Sequence, residues 1–403
     1  MACLLKIPDE PSKGVVTFTT QEWRYMSTRP ALREQLASLR SSFVLGLHFN
    51  WHDFNFVPPP LFDFFMAGEE DLRVVGDTPF RLLPMDACNF TPSAYRPSSS
   101  QERFWDVLMV GNPVFFKRPE VGLRTIRRLF DLADRLPRVL YICPMPDHRF
   151  MDEDTVFYDV RSYYEALFTP EERSVFTLLT TNFDSPNPFD RVTLSHFFRS
   201  SKVFLHCPVE ERRCRIAAYA WSAGLPVVAY PSVASILPQK LQIEPGYFAV
   251  NSDDEYVSQI LSALDRSEEF DPEPYRQAVS EVYAIDRLKL ELANIFADMN
   301  IPFSGDLLSA NLDRRLGWHH NNLGGSSNGL KHPLDDFMRQ LLELGPIATY
   351  LAAASYPERE LSESDRASSQ IPAQAVVRKS IYLNESKKKY LRYFKYAKAK
   401  IGI

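Results

Sequence analysis

The chain has 403 residues, 45% of them hydrophobic and 24% charged, which is enough for two or three domains and a substantial core. A formal net charge of −5 argues against a protein that grips nucleic acid by neutralising phosphates, so no nucleic-acid partner is expected. No run is apolar and long enough to span a bilayer, and the apolar start before Pro8 is too short for a secretory leader, so a cytoplasmic location is expected. The five cysteines, 3, 88, 143, 207 and 214, form no Cys-x-x-Cys and no zinc-like spacing, so reduced thiols, no disulfide and no metal are expected.

Residues 1–97 read as a small first lobe, with strand-like runs at Val15 to Thr20 and Phe43 to Phe49. Ser98-Ser-Ser-Gln101 has linker composition. From there short apolar runs alternate with helical segments. Strands are expected at Trp105 to Val110, Arg138 to Cys143, Phe176 to Leu179, Val203 to Cys207 and Pro226 to Tyr230. Helices are expected at Pro119 to Leu136, Arg161 to Leu167, Arg191 to Ser200 and Arg212 to Ala223. Continuous Val/Leu/Ile/Phe runs between helices mark a parallel sheet covered on both faces, so residues 98–300 read as a doubly wound α/β domain. Ser252-Asp-Asp-Glu255 opens a further helix and Tyr275 to Asp298 supplies a long one, both expected to pack against that sheet.

Residues 301–403 read as an extension, helical around Pro333 to Ala354 and otherwise polar. It ends in a basic amphipathic segment, 387–400, in which seven Lys/Arg interleave with Tyr390, Leu391, Tyr393, Phe394 and Tyr396. Such a segment fits an anionic membrane surface, a partner protein or plain solvation. Asp152-Glu-Asp154 and His319-His320 read as loops, because the first follows no buried strand and the second lacks a third metal ligand. Gly-x-Ser-x-Gly, P-loop and Gly-x-Gly-x-x-Gly patterns are absent.

In an open parallel sheet, ligands bind outside the carboxyl ends of the strands. Val107-Leu-Met-Val-Gly111-Asn112 with Lys117 downstream is one such end, and Val203 to Pro208 with Glu211, Arg212 and Arg213 downstream is another. The glycine allows backbone approach and the lysine can reach an anion, which suggests a diphosphate pocket; a solvated loop and helix surface fit the same residues.

Asp106 to Gly111, Lys117, Phe197 to Pro208, Glu211 and Ala223-Gly-Leu-Pro-Val-Val-Ala229 together resemble group 1 (family 4-like) nucleotide-sugar glycosyltransferases of the GT-B fold, and Leu83 to Pro97 is similar to that family's inter-domain stretch. The resemblance covers about residues 80 to 298. It implies a GT-B-like fold with a reduced first lobe, and a retaining transfer from a nucleotide-sugar donor to a glycan or lipid-linked acceptor, without a cofactor. It further implies polysaccharide biosynthesis, at the inner face of a membrane if the tail docks there. Lys117 would contact the donor diphosphate, with Gly111 and Asn112 at the strand exit, and Glu211 would face the donor sugar. His48 would lie near that sugar, although a histidine after an apolar run also fits a structural role; His52 and Asp53 follow it closely. Three departures stand out. Asn112 occupies the place of a phosphate-binding arginine, Arg212-Arg213-Cys214 replace loop glycines, and Tyr219 replaces the second glutamate of the Glu-x7-Glu element. Arg212 and Arg213 could supply the missing charge. Tyr219 could touch a ribose without chelating it, or pack on the core with Ile216, Ala220 and Ala223. These departures also suit a glycosyltransferase-like binding or scaffold protein without catalysis.

Overall fold

The computed structural model describes residues 2–9, 11–48, 59–67, 80–97, 102–145, 157–181, 189–317 and 333–344. The expectations for Ser98 to Gln101, His52 and Asp53, Asp152 to Asp154, His319-His320 and the 387–400 segment therefore lie outside the described residues. The described residues all belong to one compact unit.

The first lobe opens with β1 (Cys3–Lys6), β2 (Gly14–Thr19), α1 (Thr20–Ser27), α2 (Pro30–Leu39), β3 (Phe43–His48), β4 (Phe64–Met66) and β5 (Leu82–Leu83). They form a five-stranded sheet in the order β1-β2-β3-β4-β5, antiparallel at β1-β2 and parallel elsewhere. Thr19 and Glu22 form a reciprocal capping box that turns the end of β2 into α1. Gly46 lets Phe64 cross the sheet closely, since a Cβ there would lie 2.3 Å from the Phe64 ring.

The second lobe holds β6 (Trp105–Val110), α3 (Pro119–Leu132), β7 (Val139–Cys143), α4 (Val160–Leu167), α5 (Pro170–Arg173), β8 (Phe176–Thr180), α6 (Arg191–Arg199), β9 (Ser201–Leu205), α7 (Arg215–Ser222), β10 (Val227–Ala229), β11 (Tyr247–Ala249) and α8 (Tyr256–Asp265). The six strands run parallel in the order β11-β10-β9-β6-β7-β8. Val107, Met109, Val139, Tyr141, Val203 and Leu205 point into one core, and Leu108, Leu140, Ile142, Phe204 and Ala229 into another. Both faces are thus buried, which is why these strands read as unbroken apolar runs. The expected α/β architecture is what the chain adopts.

α7 ends in a Schellman turn, with Gly224 at φ 77°, its N–H donating to Trp221 O and the Leu225 N–H to Ala220 O. The start of α7 differs from expectation: it begins at Arg215, not Arg212, because Arg213 takes φ 53° and breaks the helical path.

The long helix expected over Tyr275 to Asp298 is two helices, α9 (Glu273–Val279) and α10 (Glu281–Asp298). Ser280 between them is extended, and Thr91 from the inter-lobe segment inserts there, donating to Val279 O and accepting from the Glu281 N–H. α10 also departs from its expected place on the second sheet. Its Ala284, Leu288, Leu292, Ile295 and Phe296 cover β1 to β4 of the first sheet, with Leu312 and Leu316 of α11 (Leu312–Gly317) beside them. α12 (Pro333–Glu343) packs on α2. No helix among the described residues is long and apolar enough to cross a membrane.

Candidate functional site

In the second sheet the chain runs outward from β6 through β7 to β8, then returns to lay β9 on the other side of β6. The strand order therefore reverses between β6 and β9, the position at which an open parallel sheet leaves a crevice at its carboxyl ends. Met109 pairs with Leu205 in register, so Gly111 and Asn112, both half-buried, leave β6 beside His206 and Cys207 leaving β9.

Lys117 closes a single 3-10 turn, Phe115–Lys117, and Arg118 with φ 51° redirects the chain into α3, whose first residue is Pro119. Arg118 is pinned by its ion pair to Asp253 at 2.6 Å and its bond to Cys207 O at 3.2 Å. On the opposite side the 209–211 loop is held by Ser232, whose Oγ donates to Val209 O and accepts from the Glu211 N–H. These anchors bring the Lys117 Nζ onto Glu211 Oε1, so two residues 94 positions apart form a direct, largely buried ion pair.

The other carboxylate oxygen, Oε2, lies 2.8 Å from His206 Nε2, and Cys214 Sγ lies 3.5 Å from that same nitrogen. Burial opposes charge on Glu211, but the Lys117 ammonium and His206 hold its carboxyl well below the usual carboxylate range. Burial likewise opposes charge on His206, yet Cys214 and Glu211 push the imidazole up to about 9. The Phe204 ring stacks on His206 at 5.8 Å, fixing the imidazole plane.

His206 and Cys214 were not among the residues expected from the sequence. His206 directly follows a buried strand in the ligand-binding position, a usable signal; Cys214 carried none, because its approach depends on the left-handed turn at Arg213.

The cavity between Gly111, Lys117, His206 and Pro208 measures about 10 Å³, close to the room one water needs.

Arg212, Arg213 and Tyr219 go elsewhere. Arg212 turns to Glu210 at 2.8 Å. Arg213, buried, reaches Asp86 at 3.1 Å, and His48 Nε2 lies 3.8 Å from the same Asp86 oxygen. Asp86 belongs to the inter-lobe segment and His48 to the end of β3, so this triplet links both lobes. Burial alone would raise the Asp86 carboxyl; the Arg213 guanidinium, together with His48 and Cys88, holds it well below its ordinary value. Burial lowers the His48 imidazole. A larger cavity of about 520 Å³ adjoins the triplet, lined by Asp86, Arg213, Ser235, Leu237 and Arg287 among others. Tyr219 stacks on Tyr95 with ring centroids 4.2 Å apart and meets Phe198 edge-on, so it packs as a core aromatic, and burial raises its phenol.

No family model matches the chain, and no curated protein matches it. Among solved structures it is similar to the GtfA/B complex at 12% identity and a TM-score of 0.44, over 67% of this chain and 55% of that one. It is also similar to an E. coli trehalose-6-phosphate protein bound with UDP-2-fluoro glucose, at 14% identity and a TM-score of 0.42, over 69% and 76%. A third is the pneumococcal O-GlcNAc transferase GtfA in complex with UDP and GlcNAc, at 11% identity and a TM-score of 0.38, over 76% and 54%. The chain thus spans about half the length of two of these three proteins.

Proposed function

We propose that the protein is a nucleotide-sugar-dependent glycosyltransferase of GT-B-like architecture, of the retaining kind, acting on a glycan or lipid-linked acceptor. The observation that carries this reading is the meeting of Lys117 and Glu211 at the β6-β9 switch point. These two residues correspond, one by one, to the positions that the sequence resemblance assigns to the donor diphosphate and the donor sugar.

In this reading an incoming donor replaces the internal ion pair. The diphosphate takes over the Lys117 ammonium, and Glu211 accepts a hydroxyl hydrogen bond from the sugar. As the glycosidic bond breaks, negative charge grows on the departing phosphate, and an ammonium already fixed beside it lowers that barrier without reorganisation. The departing phosphate itself takes the acceptor proton. His48, which the sequence resemblance assigns to the neighbourhood of the donor sugar, is anchored beside Asp86.

Thermal unfolding with UDP, GDP, ADP and CDP, free and as sugar conjugates, tests the donor site. One nucleotide series is expected to stabilise the protein, by about 2.7 kcal/mol at a hundredfold excess over Kd. Lys117→Ala is expected to cost about 1.5–3 kcal/mol of that affinity, the value of a charge-assisted contact. No stabilisation by any nucleotide, or none lost in Lys117→Ala, would sink the donor site. Donor binding without transfer or donor hydrolysis would favour the scaffold reading.

The basic aromatic segment 387–400 we assign to the inner, anionic face of a membrane, where lipid-linked acceptors reside. The expected result is co-sedimentation with phosphatidylserine vesicles that disappears when 385–403 are deleted; equal binding by the truncated chain would end this assignment.

A further inference from the structure

Nε2 of His206 offers a single position, either a hydrogen or a lone pair, yet a carboxylate oxygen and a thiol sulfur both converge on it. Glu211 Oε2 approaches at 2.8 Å and Cys214 Sγ at 3.5 Å. A nucleophilic Cys-His-Glu relay would use the two ring nitrogens separately, one toward sulfur and one toward the carboxylate. Here all three groups aim at one point, and their donor atoms lie within 4.8 Å of one another.

We propose that His206, Glu211 and Cys214 form a binding site for a borderline-soft divalent cation of the zinc class, with a water as the fourth ligand. Imidazole, carboxylate and thiolate are a donor set that such an ion accepts in tetrahedral geometry. With usual bond lengths a tetrahedral ion sets nitrogen and sulfur about 3.6 Å apart and nitrogen and oxygen about 3.4 Å apart. The sulfur already stands at 3.5 Å, and the carboxylate at 2.8 Å has only to draw back by rotating.

The supports of each ligand fit this role. His206 is oriented by the Phe204 ring, and the Glu211 loop is anchored through Ser232. Cys214 is brought into line by the left-handed turn at Arg213. Lys117 binds Oε1 and leaves Oε2 to the ion, so the carboxylate bridges ammonium and metal. His206 also borders a cavity of about 10 Å³ with room for about one water, though Glu211 and Cys214 do not line it. This inference departs from the metal-free expectation drawn from the sequence. It stands independently of the transferase reading, and its test needs no donor.

The test is cobalt titration of the full, chelator-stripped protein. The wild type is expected to develop a thiolate-to-cobalt charge-transfer band and the visible bands of a tetrahedral ion, saturating near about one equivalent, with zinc bleaching both. Cys214→Ser should remove the charge-transfer band, His206→Gln should weaken binding about 100-fold, and Cys3→Ala in the first sheet should change neither. Where Cys214→Ser does not fold, Glu211→Gln serves, with weakened binding expected. A wild type showing no bands in about tenfold excess of cobalt, or a charge-transfer band unchanged by Cys214→Ser, overturns the proposal.

Discussion

Arg213→Ala is expected to cost about 3–5 kcal/mol of unfolding free energy at neutral pH, because it strands the buried Asp86 carboxylate between the lobes. In the wild type the Asp86 carboxyl titrates below its unfolded value, so its contribution is present above about pH 4 and is lost as the pH falls further. Without the guanidinium, burial dominates and raises that carboxyl above its unfolded value. The sign then reverses: the variant gains stability as Asp86 takes up a proton on acidification, and loses it as the pH rises. The gap between the two proteins should therefore be widest at pH 7 and narrow toward pH 4, read from urea unfolding at both. Asp86→Asn in the Arg213→Ala background should recover part of the loss. A change within about 0.5 kcal/mol for Arg213→Ala would show that the link between the lobes carries no weight.

Glu211→Ala is expected to destabilise by a similar about 3–5 kcal/mol, and more than Lys117→Met. The carboxylate serves two partners, Lys117 and His206, whereas Lys117→Met leaves Glu211 still paired to the imidazole. A double-mutant cycle of Glu211→Gln with Lys117→Met should yield a coupling energy of about 0.5–3 kcal/mol. Strict additivity would mean that the two side chains do not act as a unit.

The second lobe was readable from the sequence because its strands are buried on both faces, leaving apolar runs with little ambiguity. The places of Lys117 and Glu211 just beyond β6 and β9 were readable too, but not that their side chains pair. What escaped was set by tertiary contacts or by backbone signs that side chains do not advertise. The split between α9 and α10 has no proline or glycine to announce it; it exists because Thr91 pairs there. The late start of α7 rests on a positive φ at an arginine, where the pattern would lead one to look for glycine. The strands β1, β4 and β5 span only four, three and two residues, too short for any periodicity to show. Tyr219 was left open between ligand and core, and its stacking on Tyr95 depends on the inter-lobe segment folding back onto α7.

The cover that α10 gives the first sheet also bears on synthesis. Leu5, Val15 and Val44 are made first, and the Leu288 and Leu292 that shield them arrive on the order of 240 to 290 residues later. At about 5–20 residues per second, that apolar face waits some tens of seconds on the ribosome for its lid. The first lobe is therefore an early-made but late-finished part of the molecule. Until α10 arrives, that apolar face is open to chaperones and to aggregation.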